Sequence, residues 1–190
     1  MSGPLTIALL AAGQASRFGG GKLDAELRGK RLGRHALDTA LALDQGAPLV
    51  VMGDPVPAFA EEAGGLAELL ANPHAADGLG TSVALAAHNV EAQGSMALLL
   101  LAADMPLVSE ATLRRLVDAC APGMASAVRH ADGHPGIPAC FPRAWFGALQ
   151  NLIGDQGAGK LLRGSDQVRA ITVPTEELAD VDTARDLAKL

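Results

Sequence analysis

Residues Leu5–Lys22 read LTIALLAAGQASRFGGGK, an apolar run that passes directly into a glycine-rich loop. Over Leu5–Ala11 only Thr6 is polar, and nothing alternates. That is the pattern of a strand buried on both faces, as in a parallel sheet. The loop after it holds Gly13, Gly19, Gly20 and Gly21, with Arg17 and Lys22 among them. Glycine admits φ > 0 and lets backbone amides approach a ligand closely. Successive exposed N–H groups make an anion-binding nest, and two fixed cations beside it suit a polyphosphate. A buried strand that delivers such a loop at its carboxyl end predicts an α/β sheet with its ligand beyond the strand ends.

Two common phosphate loops are excluded by spacing. A Walker A loop needs G-x-x-x-x-G-K-[ST], but Leu23 follows Lys22 and Ser16 occupies the first glycine position. The dinucleotide fingerprint G-x-G-x-x-G fails because Gln14, Ala15 and Ser16 follow Gly13.

Working outward, the apolar runs Pro48–Met52 and Ala97–Ala102 read as further buried strands. Apolar residues at helical spacing mark Arg34–Leu43, Thr81–Gln93 and Ser109–Cys120, with Thr81 or Ser82 capping the second and Ser109 the third. The second half changes character. Ser126–Arg129 and Ile137–Phe141 read as strands joined by the turn-rich HADGHPG, and Pro138 points to an edge or irregular strand. Helical pieces follow at Arg143–Leu149 and Gly157–Leu162, then a strand at Val168–Val173 and a helix at Thr183–Leu190. The expectation is a doubly wound, mostly parallel open sheet of α/β class with a short antiparallel addition, forming a single domain over residues 1–190.

Composition bounds the function. A chain of 190 residues with 49% hydrophobic content builds a full core. A net charge of −6 and 3% aromatic residues oppose a nucleic-acid binder, which needs a basic face and stacking platforms. No apolar stretch approaches the roughly 20 residues of a membrane helix, and the N-terminus lacks the basic region of a signal peptide. Cys120 and Cys140 show no metal-ligand spacing and read as reduced, half-buried thiols, which fits a cytoplasmic protein.

A second chemical element lies at another strand end, where Leu98–Ala103 leads into Asp104-Met105-Pro106. An aspartate there sets a hard oxygen ligand at the sheet rim, able to hold Mg²⁺ against substrate phosphates. A turn-capping role is the alternative, and the nearby phosphate loop favours metal.

The pattern L-A-A-G-x-x-S-R-F-G-x-x-K over Leu10–Lys22 resembles the signature loop of the MobA-like nucleotidyltransferases of molybdenum cofactor biosynthesis, with Phe18 where the family usually has Met. The D-M-P element resembles that family's metal site. The stretch NPHAADGLGTS (Asn72–Ser82) resembles a segment beside the base and ribose in the cytidylyl-transferring branch. Gly133-His134-Pro135-Gly136 and Gly154–Ala158 (GDQGA) resemble segments near the acceptor, and Asp180–Thr183 (DVDT) resembles the family's ending.

The resemblance implies a nucleotide site of Leu10, Ala11, Ala12, Gly13, Gly19, Asn72, Gly80, Thr81 and Ser82. It implies catalytic roles for Arg17, Lys22 and Asp104, and Mg²⁺ on Asp104 with Asp182 as second ligand. Asp182 reads equally as the N-cap of the last helix. His134 and Asp155 are the acceptor candidates, with a plain turn histidine and a cap at Gly157 as the alternatives. Guanylyl-transferring members typically carry LAGG, whereas this chain has Ala12, whose Cβ removes space beside the base and favours a pyrimidine. The implied reaction is transfer of CMP from CTP to molybdopterin with release of pyrophosphate, the product passing to an apo-molybdoenzyme. The alternatives are guanylyl transfer from GTP, transfer to a sugar phosphate or another small phosphate, and a catalytically weak cofactor carrier.

Overall fold

The computed structural model describes residues 3–13, 15 and 17–190; Ser16 of the signature loop therefore lies outside the described residues. Among the described residues, nine strands and seven α-helices form: β1 (Leu5–Ala11), β2 (Glu26–Leu27), β3 (Lys30–Arg31), α1 (Leu32–Ala42), β4 (Leu49–Met52), α2 (Ala58–Glu61), β5 (Glu68–Ala71), α3 (Leu79–Ala92), β6 (Ala97–Ala102), α4 (Glu110–Ala119), β7 (Ala125–Arg129), β8 (Pro135–Pro142), α5 (Phe146–Gln150), α6 (Ala158–Arg163), β9 (Val168–Ile171) and α7 (Ala184–Leu187). The main sheet has seven strands in the order β5-β4-β1-β6-β8-β7-β9. β5, β4, β1 and β6 run parallel, β8 is antiparallel to both its neighbours, and β9 is parallel to β7.

Alternation along β1 explains the layers. Ile7, Leu9 and Ala11 point to one face, where Leu32 and Leu37 of α1 and Leu113 and Leu116 of α4 cover them. Ala8 and Leu10 point to the other, under Val83 and Ala86 of α3 and Phe146 and Leu149 of α5. Both faces are buried, so β1 has no polar side to show. The register Leu9↔Val50 and Leu9↔Leu101 centres β1 between β4 and β6.

Of three local expectations two change, while the edge-or-irregular strand expected at Pro138 holds in its irregular form. Pro138 lies in an interior strand, since β8 sits between β6 and β7. The β7–β8 pairing jumps from Ala127↔Ala139 to Val128↔Gly136, and β6–β8 pairing stops at Ala139, so Ile137 and Pro138 fall where no ladder bond is required. α3 begins at Leu79 with Gly78 at its N-cap, so neither Thr81 nor Ser82 caps it, and Gly80 lies inside the helix. Both cysteines are free and fully buried, at 3% and 0% exposure.

Two elements carry weak sequence signals. β5 is an edge strand with mostly exposed side chains. The β2–β3 hairpin turns on Arg28 and Gly29, both at positive φ, a geometry usually announced by Asn-Gly or Asp-Gly. No helix among the described residues is long and apolar enough to cross a membrane.

Candidate functional site

The carboxyl ends of β1, β4, β5 and β6 meet on one rim of the sheet, as expected for an open α/β fold. From β1 the chain enters the glycine loop. Gly19, Gly20 and Gly21 all adopt positive φ (92°, 96° and 61°). This backbone is strained for side-chain-bearing residues, and it turns three successive amides inward. The N–H groups of Phe18, Gly19 and Gly20 all donate to the Ala15 carbonyl oxygen (3.0, 3.2 and 3.2 Å). A short 3₁₀ turn, Lys22–Asp24, follows and carries Lys22 under the rim.

Lys22 is the buried cation of the site, with 9% of its side chain exposed. Its Nζ donates to Asp104 Oδ2 at 2.6 Å and lies 3.7 Å from Asp182 Oδ1. Arg17 Nη1 donates to Asp182 Oδ2 at 2.7 Å, from a side chain 75% exposed. The four residues expected to act in catalysis and metal binding therefore converge. A charge pair removed from solvent acts through a lower effective dielectric, so the Lys22 pairs carry more field than the Arg17 pair.

The backbone explains the meeting. Val181 is fully buried and its N–H donates to the Asp104 carbonyl at 3.0 Å, drawing the C-terminal segment across the end of β6. Thr183, rather than Asp182, caps α7. Its hydroxyl oxygen accepts from Asp186 N while the Asp186 carboxylate accepts from Thr183 N and Oγ1, a reciprocal capping box. That bonding, the Thr183 hydroxyl first, holds the Asp186 carboxyl at about 2, below its ordinary 3.8. With capping left to Thr183, the Asp182 carboxylate is free to face Lys22 and Arg17.

The donor set suits a hard divalent cation. Asp104 and Asp182 supply two carboxylates to one point, and no cluster of three or more His, Cys, Asp or Glu side chains occurs among the described residues. Mg²⁺ is characteristically held by one or two carboxylates together with substrate phosphates and water.

Two cavities adjoin this centre and a third adjoins the first of them. One, of about 370 Å³, is lined by Leu10, Ala12, Gly13, Lys22, Asp104 and Asp155. A second, of about 490 Å³, runs from the glycine loop to Gly53–Pro57 and Asn72. The third, of about 540 Å³, lies toward β8 and α6, where Leu10, Leu100 and Ile137 line it along with His130, His134 and Arg163. Asp155, Ile137 and Leu79 border both the first and the third.

The remaining sequence candidates separate into groups. Asn72 is buried and bonded throughout: its Nδ2 donates to Thr81 Oγ1 and Ser82 Oγ (both 2.9 Å), and its Oδ1 accepts from His74 N. These three residues hold the 72–78 loop against α3. Ser82 and Asn72 also border the cavities, whereas Thr81, Gly19 and Arg17 do not. Asp155 does not cap α6, because Gly157 stands at the N-cap with no side-chain bond. His134 borders the third cavity, and its backbone N–H donates to Asp132, holding that carboxyl below its ordinary range.

Gly80 meets the Ile153–Asp155 loop. Its N–H donates to the Gly154 carbonyl at 2.8 Å, and an added Cβ would lie 2.9 Å from the Ile153 backbone. Sequence reasoning missed the Gly53–Pro57 wall, which the rule of ligands beyond parallel strand ends would have found at the end of β4.

A glycine loop at the end of β1, a lysine between the carboxylate that follows β6 and the one that precedes α7, and adjoining cavities fit a nucleotidyltransferase-type enzyme. The chain belongs to the family described as MobA-like NTP transferase domain, whose model matches residues 7–170. It is 33% identical to the purine catabolism protein PucB of Bacillus subtilis (strain 168), over 93% of this chain and 91% of that protein. Among solved structures, Rv0371c of Mycobacterium tuberculosis H37Rv superposes with a TM-score of 0.80 at 28% identity, covering 98% of this chain and 97% of that one. A second structure of Rv0371c is a complex with manganese. Molybdopterin-guanine dinucleotide biosynthesis protein A of Archaeoglobus fulgidus shares the fold (TM-score 0.66, 19% identity, 97% and 95% covered).

Proposed function

We propose that this protein transfers CMP from CTP to molybdopterin and releases pyrophosphate. The observation that carries the reading is Lys22, paired with Asp104 and Asp182, on the wall shared by the cavities of about 370 and 490 Å³. The glycine-loop side takes the nucleotide, and the cavity toward His134 and Asp155 takes the acceptor. The terminal phosphate oxygen of the acceptor attacks the α-phosphorus. The new P–O bond forms as the bond from the α-phosphorus to the bridging oxygen of the leaving pyrophosphate breaks, and the electron pair leaves with pyrophosphate. Catalysis is positioning and charge neutralisation, with no covalent enzyme intermediate.

Each residue then has a task. The Phe18, Gly19 and Gly20 amides exchange the Ala15 carbonyl for phosphate oxygens. Lys22 neutralises charge building at the α-phosphate, and the exposed Arg17 neutralises the leaving pyrophosphate. Asp104 and Asp182 hold Mg²⁺, which supplies charge stabilisation on the phosphate oxygens when bound. Asn72 and Ser82 shape the base and ribose wall, Thr81 holds Asn72 in place, and Ala12 narrows the wall toward a pyrimidine. The relative described as a purine catabolism protein supports the reading. Cytosine-dinucleotide cofactor is implied for enzymes of the xanthine dehydrogenase type, and xanthine is a purine.

Calorimetric titration of CTP, GTP, UTP and ATP in the presence of Mg²⁺ tests this reading. CTP binding preferred over the other three, followed by molybdopterin-dependent pyrophosphate release, is the expected result. Preference for GTP would move the protein to guanylyl transfer, and nucleotide binding without pyrophosphate release would favour a carrier.

A further inference from the structure

We infer that Asp24 is a positioning residue for the nucleotide pocket, resting on the nucleotidyl-transfer reading above. Asp24 ends the 3₁₀ turn that begins with Lys22, and its carboxylate leaves that turn to cap a distant helix. Oδ2 accepts from Ala58 N and Oδ1 from Phe59 N, each at 2.9 Å, across more than thirty residues of chain. These are the first two amides of α2, whose N-cap is Pro57 and makes no side-chain bond. The first amides of a helix have no partner within it, so Asp24 supplies what the local sequence does not.

A second tie closes the clamp. Arg31 Nη1 donates to the Asp24 carbonyl at 3.2 Å, and Arg31 pairs with Glu62, the C-cap of α2, at 2.8 Å. α2 is thus bound at both ends to the segment that follows the glycine loop. Its middle is pinned by Phe59, fully buried against Gly33, where a Cβ would stand 2.6 Å from the ring.

The consequence lies in the cavity of about 490 Å³. One wall is Gly20–Asp24 and the opposite wall is Gly53–Pro57, the connection from β4 to α2. β4 fixes the second wall at its start, and the Asp24 carboxylate fixes it at its end. The same residue therefore sets the width of the nucleotide cavity and the seat of the Lys22 turn. A cap replaced by alanine loses enough free energy to weaken what depends on it by about tenfold.

The test compares wild type, Asp24→Ala and Asp24→Asn by amide hydrogen exchange and by CTP–Mg²⁺ titration. Asn keeps one acceptor oxygen and serves as the conservative variant. In Asp24→Ala the Ala58 and Phe59 amides should exchange faster while the β1 and β6 amides keep wild-type rates. The Kd for CTP should rise about tenfold and recover partly in Asp24→Asn. Unchanged exchange at Ala58 and Phe59, or faster exchange there with an unchanged Kd, would overturn the inference. Wild-type protein that binds no nucleotide would overturn the transfer reading instead, while the exchange comparison still decides whether Asp24 clamps α2.

Discussion

Lys22 has two carboxylates within reach and almost no water, and that sets what its removal should do. In Lys22→Ala, Asp104 and Asp182 face each other without their shared cation, and charge developing on the nucleotide loses its nearest donor. Loss of one preorganised donor of this kind costs about 10²–10³ in kcat, so pyrophosphate release in the proposed transfer should fall by that order while far-UV circular dichroism stays native. Full turnover in this variant would remove Lys22 from the mechanism. The sequence exposed Lys22 and Asp104 because both follow buried strands, whose ends are fixed by the sheet. It left the role of Asp182 open because Asp and Thr are both good caps. Only the reciprocal bonding of Thr183 with Asp186 assigns the cap and frees Asp182.

At the level of elements, the α7 capping box makes a pH-dependent claim. The Asp186 carboxyl titrates at about 2 in the folded protein, against an ordinary 3.8. A depressed value means the ionised form is favoured by folding. Its contribution is present above the ordinary value and is lost as pH falls through about 2. An NMR titration of the Asp186 carboxyl carbon should give a midpoint near 2, and a midpoint near 3.8 would mean that the box is open in solution.

A helix glycine makes the second claim at this scale. Replacing glycine by alanine inside a helix ordinarily stabilises by roughly 0.5–1 kcal/mol. At Gly80 the added Cβ meets the Ile153 backbone at 2.9 Å, and overpacking against backbone costs about 1–3 kcal/mol. The steric term wins, so Gly80→Ala should lower the urea midpoint and raise the acceptor KM more than the nucleotide KM. A higher midpoint would show that the 153–155 loop yields freely. The apolar spacing starts this helix at Thr81, after both Gly78 and Gly80. What they approach lies more than seventy residues away, and nothing local encodes it.

At the scale of the molecule, both the parallel and the antiparallel halves of the main sheet were readable except for β5, and burial is the reason. β1, β4 and β6 are buried on both faces and appear as unbroken apolar runs, whereas β5 lies at an edge with exposed side chains, and β8 carries Pro138 where its ladder is interrupted. The sheet nevertheless joins the halves, because β6 pairs with both β1 and β8. We expect the whole chain to unfold as one cooperative domain, and two reporters sit well for the test. Trp145, the single tryptophan, packs in the cluster on the α3 and α5 face. Cys120 and Cys140 belong to the cluster on the α1 and α4 face. Both thiols are buried, which shields them from reagent, so neither should react in the folded state. Trp145 fluorescence and thiol labelling across a urea series should therefore give coincident transitions. If labelling precedes the fluorescence change, the two faces of the sheet open separately, and the chain behaves as two folding units despite its shared strands.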